Sequence, residues 1–485
     1  MSFRTWFANL QVTRTFDRLQ RDWHRSPRRR HTSFSCLPAE ALEVRSLLSS
    51  YTAASVSALV ADINAANANG GTNTVTLAAN TTFDLTAVNN ATNGANGLPV
   101  ISGAKVADNL TIIGNGATID RSTAAGTPAF RLFDVASGNS LTLENVTLQG
   151  GLAQGSGTAA DGGAVFNQGA LTLSGVTVQN NFAIGAGGKI AVGPNGSTLA
   201  AATDAAGGGV WSNGVLTLQD LSLSGGGSIH TLLQNNTAQG GNGGFFRGSG
   251  WMGTNGGSAL GGGIYVAGGT ANLVNATLAK NTAHGGVGDA GVLASMVKFG
   301  SVGGAAFGGA LDIAGGTVAM TGLVVQSNQA QGGTGGQGQM VPIQWNNPLA
   351  RGGTASGGGI NVAGGTVTLA TVDLVSNTAV GGRGGPGTGD SGGAPGGDAF
   401  GGGLCVSGGV VTLTKDTVTA NQAAGGAPGY GFYGWGTPRS GLDYGGGIDI
   451  ASAATVYVDS STVANTTNNS AYFNSSIYGP YILRN

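Results

Sequence analysis

The stretch that decides the fold is Gly357-Gly-Gly-Ile360-Asn-Val362-Ala-Gly-Gly365-Thr-Val-Thr-Leu369-Ala-Thr-Val-Asp373-Leu-Val-Ser-Asn377-Thr-Ala379. Apolar side chains alternate with polar or small ones, as in Thr366-Val-Thr-Leu369, which is the period-two pattern of a half-buried strand. Glycine pairs break the runs at corners, where positive φ or close backbone approach is needed. From residue 161 this motif recurs seven times, with its aligned apolar position at Val165, Val210, Ile264, Leu311, Ile360, Leu404 and Ile448. Successive copies are 45, 54, 47, 49, 44 and 44 residues apart. An asparagine aligns at Asn181, Asn236, Asn281, Asn328, Asn377, Asn421 and Asn465. It follows the apolar position by 17 residues in five copies, by 16 in the first and by 26 in the second, which carries an insertion.

One such unit cannot bury its apolar face alone. Stacking units about 4.8 Å apart buries a continuous column of Val, Ile and Leu. The pattern predicts three short strands per unit and one elongated all-β solenoid from about residue 51. An asparagine at the same corner of every coil can bond to the coils above and below it. These seven are therefore expected to form a structural ladder. Gly-rich segments of variable length (239–260, 284–307, 331–356, 380–400 and 424–444) interrupt the repeat at one place, so they should all emerge from one side.

Ahead of the repeats, residues 55–67 read as a short amphipathic helix with Leu59, Val60 and Ile63 on one face and Ser55 or Ser57 as cap. Strand-like runs come next, at Thr74–Leu77, Leu110–Ile113, Ala117–Ile119, Phe130–Val135 and Leu141–Leu148. A solenoid must hide its terminal cross-section, and this helix is placed to do so. The expected organisation is thus a basic segment over 1–50, a cap with first coils over 51–160, and Gly-rich coils of the same β-helix over 161–485.

Composition narrows the function classes. The chain has 485 residues, 93 of them glycine, with 40% hydrophobic and only 9% charged residues. Regular Val, Ile and Leu between the glycines argue against a disordered low-complexity chain. Nine of the 21 Lys and Arg fall in residues 1–50, against four acids. The rest of the chain keeps 12 bases and 18 acids, a net −6, and no basic stripe to grip nucleic acid. The two cysteines, Cys36 and Cys405, exclude a disulfide framework. No apolar run reaches the roughly 18 residues of a membrane span.

Three resemblances rest on particular residues. Leu42-Glu-Val-Arg-Ser-Leu-Leu-Ser49 resembles the LExRxLLS leader near the start of many large secreted bacterial proteins, although no 7–15-residue apolar core accompanies it. Gly162-Gly-Ala-Val-Phe-Asn167 and Val178-Gln-Asn-Asn181 resemble the GGAI and FxxN repeats of polymorphic outer membrane proteins, with Val or Leu in place of Phe. Leu110-Thr-Ile-Ile-Gly-Asn-Gly-Ala-Thr-Ile-Asp-Arg121 looks like an early coil of the pectin-lyase-like class. The resemblance spans most of 51–470 and implies a right-handed parallel β-helix solenoid with a capping helix. It implies no single function, because that fold hosts adhesins, lyases and hydrolases. No translocator barrel comes before Asn485, so export through its own barrel is not expected.

Tests for chemistry find little. Lyases of this fold pair an acidic Ca²⁺ site with an Arg or Lys base, and related hydrolases need paired carboxylates. Asp312 and Asp449 align in one column with Asn361 and Cys405 between them, roughly 14 Å apart at the stacking distance. Phe166, Trp211 and Tyr265 share that column, which reads as an ordinary strand face. The four histidines show no metal-ligand spacing, and no cofactor is expected. The insertions hold Trp251, Trp345, Tyr433 and Trp435, rings that offer flat contact faces for sugars or proteins. The expectation is a secreted or cell-surface, non-catalytic, structural or adhesion-type monomer of bacterial origin. It would bind extracellular polysaccharide or surface components through those rings. An extracellular polysaccharide lyase or glycoside hydrolase is the alternative.

Overall fold

The computed structural model describes residues 49–103, 107–193, 196–244, 253–289, 300–339, 350–388, 393–431 and 439–484. They form a parallel β-helix. One coil defines the rest: Ala355–Ser356, Ile360–Val362, Thr366–Ala370, Asp373–Val375 and Thr378–Val380 occupy its first to fifth ladders. The repeat therefore holds five short strands, where the sequence pattern suggested three. Each strand pairs in parallel with its counterpart one coil away, as in Ile360↔Leu404 and Val367↔Val411. The first and fifth ladders are seven-stranded and the second is nine-stranded. The third and fourth belong to one 20-stranded sheet, because Asp108–Arg121 and Ser140–Gln149 run unbroken through both.

Two cores result from the alternation. The second, third and fourth ladders enclose the main one. Val165, Val210, Ile264, Leu311, Ile360, Leu404 and Ile448 stack in one inner column, all fully buried. Each such side chain stabilises by about 1.5–3 kcal/mol. The fifth and first ladders instead face each other across alanines alone. Ala183, Ala238, Ala283, Ala330, Ala379 and Ala423 meet Ala205, Ala259, Ala306, Ala355 and Ala399 in a separate thin core. These two ladders make an arm, and the glycine-rich insertions continue it outward on that one side.

In the arm's extension the glycines keep a three-residue rhythm. In Gly332-Gly333-Thr334-Gly335-Gly336, the Gly332 and Gly335 amides bond to Val380 and Arg383 of the next outgoing segment. The Gly333 and Gly336 amides bond to Gly304 and Ser301 of a returning segment. Period-three bonding to neighbouring chains is the habit of polyproline-II-like backbone, which has no internal hydrogen bonds. A Cβ on Gly333 would overlap the Gly286 carbonyl, so closeness rather than φ demands glycine there. At Gly357, the corner between first and second ladders, φ is 65° and the conformation itself demands it.

The helix Val56–Asn69 buries Leu59, Ile63 and Ala66 against the first coils, and its N-cap Ser55 accepts from the Ala58 amide at 3.2 Å. The fold begins slightly before the expected boundary, since Ser49–Ala53 is already a strand paired with Gly71–Leu77. The leader-like residues up to Leu48 lie outside the described residues. In the second repeat the extra length is a small antiparallel hairpin, Leu221–Ser222 with Ser228–Ile229.

Six of the seven aligned asparagines stand in one buried file at the corner between fourth and fifth ladders. Asn377 shows the geometry. Its Nδ2 donates to Val325 O at 2.8 Å and to Asn421 Oδ1 at 2.9 Å, while its own Oδ1 accepts from the Asn328 amide at 3.1 Å and Asn328 Nδ2 at 2.9 Å. The last rung corrects the sequence reading. Asn421 donates to Asn469 Oδ1 at 3.0 Å, not to Asn465, which is exposed and caps the short helix Ser460–Ala464. That helix displaces the register, so the 17-residue spacing lands four positions early.

Two contrasts test this architecture. Asn328→Ala orphans the donors of Asn281 and the Leu278 carbonyl and is expected to cost about 2–4 kcal/mol locally. Asn465→Ala should be near neutral, and thermal unfolding with hydrogen exchange separates the two. Gly333→Ala should expose the arm to protease, whereas Gly315→Ala should not, because a Cβ at Gly315 meets only Ala267 O at 3.8 Å.

Candidate functional site

Where the arm leaves the body, the first and second ladders make a concave corner. Strand alternation aims the middle residue of each second-ladder strand into it, because the flanking residues point to the main core. The second residue of each first-ladder strand faces the same space. One file is thus Asp134, Phe166, Trp211, Tyr265, Asp312, Asn361, Cys405, Asp449 and Tyr478. The other is Asp161, Ala206, Leu260, Phe307, Ser356, Phe400 and Tyr444. The files touch. Ser356 hydrogen-bonds the Cys405 side chain, and the Tyr444 and Tyr478 rings are 4.9 Å apart. Asp312, Asn361 and Cys405 are all buried, so the floor of this trough is closed by the packing of one file on the other and is not the ordinary strand face the sequence suggested.

Rings stack at both ends of the trough. Phe166 and Trp211 lie 4.4 Å apart and nearly parallel, with Tyr265 6.5 Å beyond. At the other end Phe400 stacks on Tyr444 at 5.6 Å, and Tyr444 on Phe473 at 4.9 Å. Trp211, Tyr265, Phe400 and Tyr444 are half-buried and keep part of their surface open to solvent.

Carboxyls line the floor between and beside the rings. Burial pushes Asp312 up to about 7, against the hydrogen bond Asn361 Nδ2 donates to it at 2.7 Å. Burial likewise raises Asp449 to about 6, and the Cys405 thiol donates to it at 3.8 Å. Asp161 rises to about 6 through burial, with the Arg131 charge opposing and Asp204 adding. Burial, then the charges of Asp312, Asp161 and Asp204, carry Tyr265 to about 12. Arg131 is the one base on the floor among the described residues. It donates to Asn93 O at 2.7 Å, lies 4.9 Å from the centre of the Phe166 ring, and interacts with Asp134 and Asp161.

Sequence reasoning saw Phe166, Trp211, Tyr265, Asp312 and Asp449 as one column and missed Asp134, Arg131, Asp161 and Asp204. The available signal was the constant five-residue offset across the Gly corner, as from Ser356 to Asn361, which brings two files together. Trp251, Trp345, Tyr433 and Trp435 lie outside the described residues. Among the described residues no three His, Cys, Asp or Glu side chains could hold a metal ion. None of the helices there is long and apolar enough to cross a membrane. A separate concavity of ≈ 500 Å³ at Asp120, Gln149, Leu152 and Phe182 carries a single carboxyl and no ring stack. No family model, curated protein or solved structure matches the chain.

The raised carboxyls make stability depend on pH. Their folded pKa values exceed the unperturbed 3.8, so folding takes up protons. That contribution is complete below about pH 4 and is lost as pH rises through about 6 to 7. The melting temperature of the full chain should therefore fall over that range. Asp312→Asn should flatten the fall, and an unchanged profile in that variant would place the titration elsewhere.

Proposed function

We propose that the chain is an exported, non-catalytic surface protein that binds an extended glycan lengthwise in the trough. The observation that carries this reading is the pair of ring stacks along one concave face. Aromatic faces give large, rigid, low-entropy contact area, which suits the apolar faces of sugar rings. The rings stack largely on one another, so what they offer a ligand is a ribbon of ring edges and partly open faces, as at Trp211, Tyr265, Phe400 and Tyr444. Residues 1–50, with their leader-like run, support export, and Trp251, Trp345, Tyr433 and Trp435 in the insertions offer further rings for contact. The arrangement supports hydrolysis less well. Asp312 and Asp449 stand three rungs apart, roughly 14 Å, beyond the about 5–9.5 Å that glycosidase carboxyl pairs use.

A glycan array with the full chain, followed by titration calorimetry, tests the reading. Trp211→Ala should weaken the best ligand about tenfold or more with an unchanged far-UV circular dichroism spectrum. A triple Trp251, Trp345 and Trp435→Ala variant reports the loops separately. An empty array, or new reducing ends or unsaturated products released by the protein, would overturn the binding reading.

A further inference from the structure

The trough's charge narrows its ligand. We propose that it selects oligosaccharides that carry amino groups and rejects those that carry carboxylates. This rests on the trough reading above and adds a substrate class to it.

The trough and its margin carry five carboxyls, Asp134, Asp161, Asp204, Asp312 and Asp449, and one guanidinium, that of Arg131, whose charge acts on Asp134 and Asp161 at one end. That guanidinium is only 5% exposed and already engaged with Asn93 O, Phe166 and two of the acids, so it is not free to grip a uronate. Arg351, beyond the rim, is paired with Asp398 at 2.5 Å. Asp134 is fully buried; its Oδ2 accepts from Asn93 Nδ2 at 3.1 Å, while its Oδ1 accepts no hydrogen bond. A buried acceptor without a donor is costly, and an ammonium or amide N–H would satisfy the one at Asn361 Oδ1, beside Asp312 in the same file, while the Arg131 charge already offsets part of the cost at Asp134. The neighbours of Asp134 on the floor are Phe166 and then Trp211. The negative face of an aromatic ring attracts a cation just as a carboxylate does. Rings and acids here therefore favour the same charge on the ligand, and both disfavour a uronate. The low-dielectric floor strengthens that discrimination relative to open water.

The test compares three oligosaccharides of equal length on the full chain near neutral pH: a glucosamine oligomer, its N-acetylated counterpart and an oligogalacturonate. Calorimetry should rank them in that order, with the amine bound about tenfold or more tighter than the uronate and weakened by added salt. The double substitution Asp161→Asn with Asp204→Asn should shrink the ratio of amine to N-acetyl affinity, and an unchanged ratio overturns the charge inference. Equal binding of the amine and N-acetyl oligomers, or tighter binding of the uronate, overturns the charge inference and leaves the trough reading standing. If Trp211→Ala binds the amine as well as the unaltered chain does, the attraction is diffuse and the inference fails. No binding of any of the three overturns the charge inference, and only an empty glycan array overturns the trough reading with it.

Discussion

Each coil meets the next through a buried amide that uses all its hydrogen-bonding capacity, and the rest of the architecture hangs on that corner. The residue before each ladder asparagine sits in the left-handed region at φ 54–57°, whether it is Asn180, Lys280, Ser327, Ser376 or Ala420. For a non-glycine residue this costs of order 1–3 kcal/mol. It persists because the amide behind it is fixed from both sides: Asn328 and Asn421 hold Asn377 as Asn281 and Asn377 hold Asn328. The turn aims the chain out of the main core and into the arm. Without the ladder, nothing would oblige seven successive coils to leave the body at the same point.

Side-chain size then sets the thickness of each layer from the body outward. Leu and Ile hold the main core open, alanine alone separates the fifth and first ladders, and glycine alone lets the outgoing and returning segments touch. The taper is physical, since packed layers approach only as closely as their side chains allow. Past the alanines, even a methyl group at Gly333 or Gly353 would strike a neighbouring carbonyl. The high glycine content is therefore a packing requirement of a thin hydrogen-bonded slab.

The inner column and the one-sided insertions were legible because a period of two and a fixed spacing have few structural solutions. The asparagine ladder was legible to its sixth rung. It was misplaced at Asn465 because the helix Ser460–Ala464 enters where six earlier copies have none. The slab shows in the sequence as a Gly-Gly-X rhythm, a period of three that the period-two signature of a strand does not describe. The trough was the least legible part. Its floor joins residues five apart in one coil, such as Ser356 and Asn361, with residues about 45 apart between coils, such as Cys405 and Asp449. Burial of Asp312 could not be read either, because alternation says only that it points away from the main core.

The arm that produces the trough also explains its electrostatics. A solenoid face open to water would leave its carboxyls solvated and ordinary. Here the first ladder folds against the second, so Asp161 and Asp312 lose water on two sides and both rise. Replacing them with apolar residues would remove that strain, as the same column does at Trp211 and Tyr265. Acids at these positions are costly to keep charged and need a positive partner to be kept so. Arg131 meets that need at one end only. Toward Asp312 and Asp449 the described residues supply no base, so burial favours the neutral acid there and each carboxyl is relieved by taking up a proton.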